Sequence, residues 1–347
     1  MPALVTSQDV ARVASVSRAT VSRVINGSAR VKPDARERVL AAIRATGYKP
    51  DVAAQELVRQ QSRSIALGLF TKVDDGFSLS TIGQPGYYFY LDVLRHVEHE
   101  ITDSGYDIVL PSLTRDEASP QGFTWNTRRL AGALMIALPV TDKRVQALRA
   151  AHVPTVFIDS IVHDEHMAYI RSDNVDGVRQ TTAHLLALGH RRIAILSDHN
   201  TALAGLERFL GYHQAFEGAG FAVDPGLVRQ SLFNMEDGYA AANALVRERP
   251  DVTAIVAASD LMAVGVRRAL REHGLRVPED ISLTGFDDIE LCPFMDPPLT
   301  TVRQDRVAMA RGAVRLLLNL IAGTPAPSPL VVPTELVVRA STRPPPP

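Results

Sequence analysis

Polar residues end three strand-like apolar runs along this chain. Asp159 follows TVFI, the pair Ser259 and Asp260 follows TAIVAA, and Asp287 follows ISLTGF. Residues in such places can contact a ligand, because ligands of parallel α/β sheets bind outside the carboxyl ends of the strands. The four residues therefore predict one ligand site, located from the strand pattern alone.

Catalytic and metal-binding alternatives have weaker support in the same sequence. Asp287 and Asp288 are adjacent carboxylates, but neighbours at a strand end point apart, so shared acid–base work is not expected. Two histidine pairs, His96 with His99 and His163 with His166, fall where an exposed helix face and a loop are expected. No P-loop, nucleophile-elbow or HExxH pattern occurs. We therefore expect no catalytic residue, no metal site and no cofactor.

The elements that must position the polar residues are strands alternating with amphipathic helices. From residue 64 onward the strand-like runs are SIALGLF (64–70), YDIVLPS (106–112), GALMIAL (132–138), TVFID (155–159), RIAILS (192–197), TAIVAAS (253–259) and ISLTGFD (281–287). Helix-like sequence follows each run. This alternation predicts parallel sheets covered by helices.

Composition is that of an ordinary globular protein. The chain has 347 residues, of which 46% are hydrophobic and 22% charged, enough for two or three domains. Its start, MPALVTSQDV, has no basic segment followed by an apolar one, and no later run is long enough to span a bilayer. We expect a cytoplasmic protein without a membrane partner. Cys292 is the single cysteine, so no internal disulfide can form.

Charge is distributed unevenly along the chain. Residues 1–63, here called the head, carry 11 Lys and Arg against 5 acidic residues, whereas the remainder carries 26 against 33. A basic segment on an acidic protein suggests a polyanion as partner of that segment. Solvated helix surface alone is the other explanation.

Local signals in the head predict three short helices. Thr6 and Ser7 stand at cap spacing before the first, Ser17 can cap the second, and Asn26-Gly27 ends it. The third helix follows Lys32-Pro33 and ends at Gly47. Its inward-facing residues are expected to be Val39, Leu40 and Ile43. Three short helices with a tight turn between the first two predict a helix-turn-helix domain.

The outward face of the second helix is small, polar and basic. It presents Arg18, Ala19, Ser22 and Arg23. Positions 18 and 22 are one helical turn apart, as are positions 19 and 23, so the four residues share one face. A major groove admits one helix, and arginine can bond guanine O6 and N7 together, which suits Arg18 and Arg23 as base readers. A merely solvated face is the alternative.

Five stretches of the chain carry a resemblance to a known family: DVARVASVSRATVSRVING (9–27), VKPDARERVLAAIRATGYKPD (31–51), ALGHRRIAILS (187–197), AASDLMAVGVRRALREHGLRVPEDISLTGFDDI (257–289) and PPLTTVRQD (297–305). They resemble the LacI/GalR (lactose-repressor) family of bacterial transcription regulators. The resemblance implies a small all-α helix-turn-helix head plus hinge helix, joined to a two-lobed α/β periplasmic-binding-protein-like domain with parallel sheets.

The resemblance also implies which residues contact DNA. The hinge, DVAAQELVRQQSRS (51–64), is too short to be stable as a helix alone. The family implies that it folds when two subunits meet on DNA, with Ala54 at the dimer contact and Leu57 as a minor-groove wedge. Packing of Leu57 against the body is the alternative. The full expected set is Thr6, Ser17, Arg18, Ala19, Thr20, Ser22, Arg23, Asn26, Tyr48, Ala54 and Leu57.

For the effector site the family implies a sugar-like ligand. Carboxylates and arginine would bond its hydroxyls, and an aromatic ring would cover its C–H face. The expected set is Tyr88, Phe89, Asp159, Arg208, Phe233, Ser259, Asp260 and Asp287. Ser259 departs from the asparagine common in the family, and Leu206 stands where many members have a polar or basic residue. Tyr87, Tyr88 and Phe89 line the cleft or are core aromatics.

Together these features predict a DNA-binding transcriptional regulator, a repressor as is commonest in the family, controlled by a small effector between the lobes. Its partners would be double-stranded palindromic operator DNA, a sugar and a second copy of the chain, with a tetramer also open. A stand-alone solute-binding protein and a sugar-modifying enzyme are the rival classes. The expected boundaries are 1–50 for the helix-turn-helix domain, 51–63 for the hinge, and 64–347 for the effector-binding and dimerisation domain, with lobes at about 64–162 plus 299–324 and about 163–298 plus 325–343.

Overall fold

The chain forms two compact units, the head (Met1–Arg63) and the body (Ser64–Pro347). The computed structural model describes residues 5–25, 30–48, 62–69, 88–110, 114–115, 123–124, 130–136, 143–200, 202–324 and 328–346.

Three helices make up the described part of the head: α1 (Ser7–Val13), α2 (Arg18–Ile25) and α3 (Pro33–Thr46). Thr6 caps α1, and Gly47 ends α3 with a φ of 65°. The core consists of small apolar side chains, Val10, Ala11, Ala14, Val21, Val24, Val39 and Ala42. Leu40, expected to face inward, is 42% exposed, because Val39 and Ala42 already occupy the inward face of α3.

The body alternates strands and helices in chain order. The elements are β1 (Ser64–Leu69), α4 (Tyr88–Asp103), β2 (Asp107–Val109), β3 (Thr114–Arg115), β4 (Phe123–Thr124), β5 (Leu130–Ile136), α5 (Lys143–Ala150), β6 (Thr155–Ile158), β7 (Met167–Ser172), α6 (Asn174–Ala187), β8 (Ile193–Ser197), α7 (Leu203–Gly218), β9 (Val228–Gln230), α8 (Met235–Glu248), β10 (Ala254–Ala257), α9 (Asp260–Glu272), β11 (Ser282–Thr284), β12 (Thr301–Gln304), α10 (Arg306–Ile321), β13 (Leu330–Val332) and β14 (Thr334–Val337). None of the helices in the described ranges has the length and apolar character needed to cross a bilayer.

Two parallel sheets form the centres of the two lobes. The first lobe contains the sheet β13-β7-β6-β5-β1-β2 and the second contains β11-β10-β8-β9. Every pair of neighbouring strands in both sheets is parallel. Helices cover these sheets, which explains why strands such as β6 and β10 are apolar and buried on both faces.

The chain passes between the lobes three times: at Asp173, along β12, and along β14. β12 and β14 pair with each other in an antiparallel ribbon. The expected lobe boundaries were wrong at two strands, since β7 and β13 belong to the first sheet and not to the second lobe. β7 is buried between β6 and β13, and its apolar sequence alone does not specify which sheet it joins.

Candidate functional site

The exposed face of α2 is the candidate DNA-reading surface. Val21 and Val24 are buried in the head core, and the opposite positions Arg18, Ala19, Ser22 and Arg23 are exposed. Ser17 begins the helix, because its Oγ accepts the backbone N–H of Thr20 at 3.1 Å and lies 2.9 Å from the Thr20 hydroxyl. The helix therefore presents a small, basic surface to solvent.

The remaining expected DNA contacts have different environments. The Arg18 Nε donates to Ser7 Oγ at 3.2 Å, which ties α2 to α1. Thr6 caps α1, and its hydroxyl lies 2.6 Å from the Asp9 carboxylate. Tyr48 is half-buried against the head core. Asn26, Ala54 and Leu57, with most of the hinge, lie outside the described residues.

In the body, three charged side chains from both lobes come together. Asp159 follows β6 in the first lobe, Arg208 lies on α7 in the second, and Asp287 follows β11 in the second. The charges of Arg208 and Asp287 both act on the Asp159 carboxyl. This group of three residues is called the inter-lobe cluster below.

Hydrogen bonds and aromatic rings fix the orientation of the Arg208 guanidinium in the inter-lobe cluster. Its Nε donates to Asn174 Oδ1 at 2.9 Å, and its Nη1 donates to the Ala258 carbonyl at 2.5 Å. The guanidinium lies 3.8 Å from the ring centre of Phe286 and 5.3 Å from that of Phe233. Of its five N–H donors, those on Nη2 face the Asp287 Oδ1 at 3.5 Å, so donors remain for a ligand.

Two buried acceptors in the same region have no hydrogen-bond partner among the described residues: Asp159 Oδ1 and Gln304 Oε1. Gln304 also donates through Nε2 to Asp287 Oδ1 at 2.7 Å, which fixes its orientation. Buried acceptors without donors destabilise a protein by about 1–3 kcal/mol each. They are therefore suited to ligand hydroxyl groups.

Burial raises the pKa values of the carboxyl groups in this region. It raises the pKa of Asp159 to about 6; Arg208 opposes this increase, and the charges of Glu207 and Asp287 add to it. Burial likewise raises the pKa of Asp287, to which the charge of Asp260 adds, and the pKa of Asp260, to which the charge of Asp288 adds. The inter-lobe cluster therefore favours protonated carboxyls more than solvent does.

Asp287 and Asp288 have separate partners despite their adjacency. Asp288 accepts from Arg303 Nε on β12 at 2.8 Å and from Arg339 Nη2, two residues beyond β14, at 2.7 Å. Asp287 instead faces Arg208 and Gln304. Asp288 thus anchors the connections between the lobes.

Ser259 and Asp260, which are expected to contact the ligand, both have intramolecular hydrogen-bond partners. Ser259 caps α9 by accepting the N–H of Met262 at 3.2 Å. Both oxygens of Asp260 are used, one by the Thr301 hydroxyl at 2.5 Å and the other by the backbone N–H of Ile289 at 2.9 Å. A Cβ at position 285 would lie 2.1 Å from Asp260 Oδ1, so Gly285 lets the loop carrying Asp287 approach this carboxylate.

The aromatic residues at the start of α4 lie in different environments. Phe89 is 8% exposed and packs in the first-lobe core, and Tyr88 is 47% exposed in a groove that also contains Phe294. Tyr90 is the residue near the inter-lobe cluster: burial raises its pKa well above the usual value, and the charges of Asp159 and Asp287 add to this. The start of α4 at Tyr88 decides which of these aromatic residues face the core.

Three further residues of the site were not expected from sequence: Tyr90, Asn174 and Gln304. Gln304 lies in the PPLTTVRQD motif, which was quoted for the resemblance without assigning it a contact. Asn174 had no signal beyond its place after a strand. Phe233 is half-buried beside Arg208, just before the Asn234 cap of α8. No group of three or more potential metal ligands occurs in the described part of the chain.

Comparison with known proteins identifies the family. Residues 6–51 match the model described as bacterial regulatory proteins of the lacI family, and residues 182–342 match a periplasmic binding protein-like domain. The chain is 37% identical to the HTH-type transcriptional regulator CelR of Thermobifida fusca, over 97% of this chain and 98% of that protein. It belongs to the LacI family. Such a chain is a sequence-specific DNA-binding transcriptional regulator.

Other LacI-family proteins extend the match over the whole length. The regulator MalR of Streptomyces coelicolor is 36% identical over 96% of this chain and 95% of its own. A CelR–cellobiose complex is 35% identical, covers 97% of this chain and 99% of its own, and has a TM-score of 0.70. A lac repressor dimer bound to operator and the anti-inducer ONPF is 29% identical, covers 98% and 100%, and has a TM-score of 0.81. The relatives include the head, so the stand-alone solute-binding alternative is set aside.

Proposed function

We propose that this LacI-family chain is a homodimeric repressor whose affinity for a palindromic operator changes when a small sugar binds between the lobes. The observation that carries the ligand class is the nearness of Arg208, whose hydrogen bonds to Asn174 and Ala258 use two of its five N–H donors, to the partnerless acceptors on Asp159 and Gln304. A sugar presents hydroxyls that both donate and accept, so it can satisfy both kinds of group. Phe233 beside Arg208 supplies a ring for the C–H face.

Cellobiose and related glucosides are the first candidates. The CelR relative is described in complex with cellobiose, and its chain aligns with nearly all of this one. The proposed site binds its ligand without converting it, because Asp287 is held by Arg208 and Gln304 and Asp260 by Thr301, which leaves Asp159 without a free second carboxyl as an acid–base partner.

A homodimer follows from the geometry of DNA reading. One recognition helix covers too few base pairs for specific binding, and two-fold symmetry doubles the site. The exposed basic face of α2 supports this use of the head. Since bacterial operators lie in the cytoplasm, the proposed function also implies a cytoplasmic protein.

The experiment begins with selection of duplexes bound by the full-length protein from a random library, which we expect to yield palindromes. Fluorescence anisotropy on the selected duplex is then measured with cellobiose, maltose, lactose and glucose. One of these sugars should change the operator Kd about fivefold or more. It should also raise the Tm, because a ligand of the folded state stabilises it.

Variants separate the sugar site from the head. Arg208→Ala should abolish the sugar response and keep operator binding. Arg268→Ala is the matched control, since Arg268 is an exposed arginine on the same lobe and should leave both unchanged. A panel in which no sugar alters the Tm or the operator Kd would refute the effector class. Chromatographic detection of sugar products would instead indicate an enzyme.

A further inference from the structure

A chain of polar contacts runs from the first lobe to Arg208. Arg171 on β7 places its Nη1 2.7 Å from Glu207 Oε1. Asn174 Nδ2 donates to the other oxygen, Glu207 Oε2, at 2.9 Å. Asn174 Oδ1 then accepts from Arg208 Nε at 2.9 Å. We call this series, Arg171–Glu207–Asn174–Arg208, the relay.

Asn174 has one arrangement that satisfies both of its neighbours, whereas Arg171 approaches Glu207 as an ion pair and its Nε and Nη1 make no hydrogen bond to the described residues. Arginine can only donate, so the Asn174 carbonyl oxygen must face Arg208 and its NH₂ group must face Glu207. Glu207 has two oxygens, and it accepts from Asn174 on one and pairs with Arg171 on the other. The orientation of the Asn174 amide is therefore set by Glu207.

The relay crosses the first connection between the lobes. Arg171 is the penultimate residue of a strand in the first sheet, and Asn174 is the first residue of a second-lobe helix. Glu207 and Arg208 are adjacent on α7, which packs against α6. A rotation of the lobes about the connection at Asp173 therefore changes the distance between Arg171 and Glu207.

Burial makes the relay sensitive to the loss of one member. Asn174 is 2% exposed and Glu207 7%, and the Arg171 side chain is 22% exposed. Loss of an acceptor leaves a buried donor unsatisfied, which costs about 1–3 kcal/mol. A structural ion pair alone would show this cost without any change at Arg208.

We propose that Asn174 and Glu207 are positioning residues for Arg208, and that Arg171 makes the orientation of this guanidinium depend on the angle between the lobes. The proposal rests on the proposed function in that Arg208 contacts the sugar. The relay adds a mechanism: closing the lobes changes the Arg171–Glu207 pair, and the Asn174 amide transmits that change to the ligand-binding group.

The first test observes Arg208 without any sugar. Full-length protein labelled with ¹⁵N-arginine gives Nε–H signals, and Arg208→Lys assigns the Arg208 signal by its disappearance. The Glu207→Gln side chain keeps one acceptor oxygen where glutamate has two. Either Asn174 or Arg171 therefore loses its partner. The Arg208 Nε–H should then shift and exchange with water about tenfold faster or more. Glu272→Gln, which removes an exposed ion pair with Arg268 on the same lobe, should leave the signal unchanged.

The second test measures binding of cellobiose as the probe, by calorimetry. Asn174→Ala and Glu207→Gln should each weaken cellobiose about 10-fold or more, and Arg171→Met should weaken it less. Combining Arg171→Met with Glu207→Gln should give no further loss, because both changes break one series of contacts. Glu207→Asp, which keeps two acceptors, should recover part of the affinity and serves if the other variants fold poorly.

The outcomes of the two tests are distinguishable. If wild-type protein binds no sugar, the proposed effector class fails while the Nε–H signal still reports on the relay. If the Tm of Glu207→Gln and Asn174→Ala falls but the Arg208 signal stays unchanged, the relay is only structural and the proposal is overturned. Additive losses in the double variant would overturn the role of Arg171.

Discussion

Replacing Asp159 with asparagine should stabilise the body at neutral pH while abolishing the sugar response. Asp159 has a φ of 59°, a conformation that asparagine tolerates as well as aspartate, so the backbone need not change. Its Oδ1 is buried without a partner in the described residues. Asparagine keeps the shape and removes a charge that burial disfavours.

The magnitude follows from the pKa of Asp159. Burial raises it from 3.8 to about 6, so the folded state binds this proton more tightly than the unfolded state does. Ionisation therefore lowers the free energy of unfolding as pH rises from about 4, and the loss is complete above about pH 6. The difference between the two pKa values corresponds to a loss of about 3 kcal/mol in the free energy of unfolding. Because part of the Asp159 side chain is exposed to solvent, which screens its charge, we expect ionisation to lower the free energy of unfolding by about 1–2 kcal/mol.

The assay is urea unfolding of wild type and Asp159→Asn between about pH 4 and about pH 8. The difference between the two proteins is the useful quantity, because burial lowers the pKa values of His184 and His190. Stability contributed by these histidines is lost as pH falls, which is the opposite trend, and it cancels in the difference. The variant should gain stability over wild type as pH rises. A constant difference, or a variant that is less stable at about pH 8, would refute this account of the cluster.

Three further outcomes are expected. Arg23→Ala should lose about 1–3 kcal/mol on the selected operator and less on random DNA, measured by anisotropy, and equal losses would make Arg23 a phosphate contact. Asp287→Asn should keep the Gln304 hydrogen bond and operator binding but lose the sugar-induced change in operator Kd, because the charge facing Arg208 is gone. Phe233→Ala should weaken a pyranose more than the linear polyol sorbitol in calorimetry, because only the ring offers a flat C–H face. Equal weakening would exclude stacking.

Local chemistry made the head predictable from sequence. The Ser17 cap and the Gly47 stop depend on residues within one turn, so the start of α2 and the end of α3 were both found. The parallel sheets of the body were also predictable, because buried strands have a distinctive apolar pattern. What failed was the assignment of β7 and β13, which depends on a pairing between residues more than a hundred positions apart.

The strand pattern predicted site residues that stand at a strand end, and the family resemblance added Arg208 and Phe233. Asp159 and Asp287 follow strands, and the structure brings them together with Arg208. Asn174 and Glu207 have no such signal, because a polar residue on a helix ordinarily faces solvent. Their burial arises from the packing of α6 on α7, which no local pattern describes.

The place of β13 at the edge of the first sheet has a consequence during synthesis. β7 leaves the ribosome with one edge unpaired, and its partner β13 follows roughly 160 residues later. At about 5–20 residues per second this edge stays open for roughly 8–30 s. An open apolar strand is a template for pairing with other chains. The nascent protein therefore passes through a period in which this edge can pair with other chains before β13 covers it.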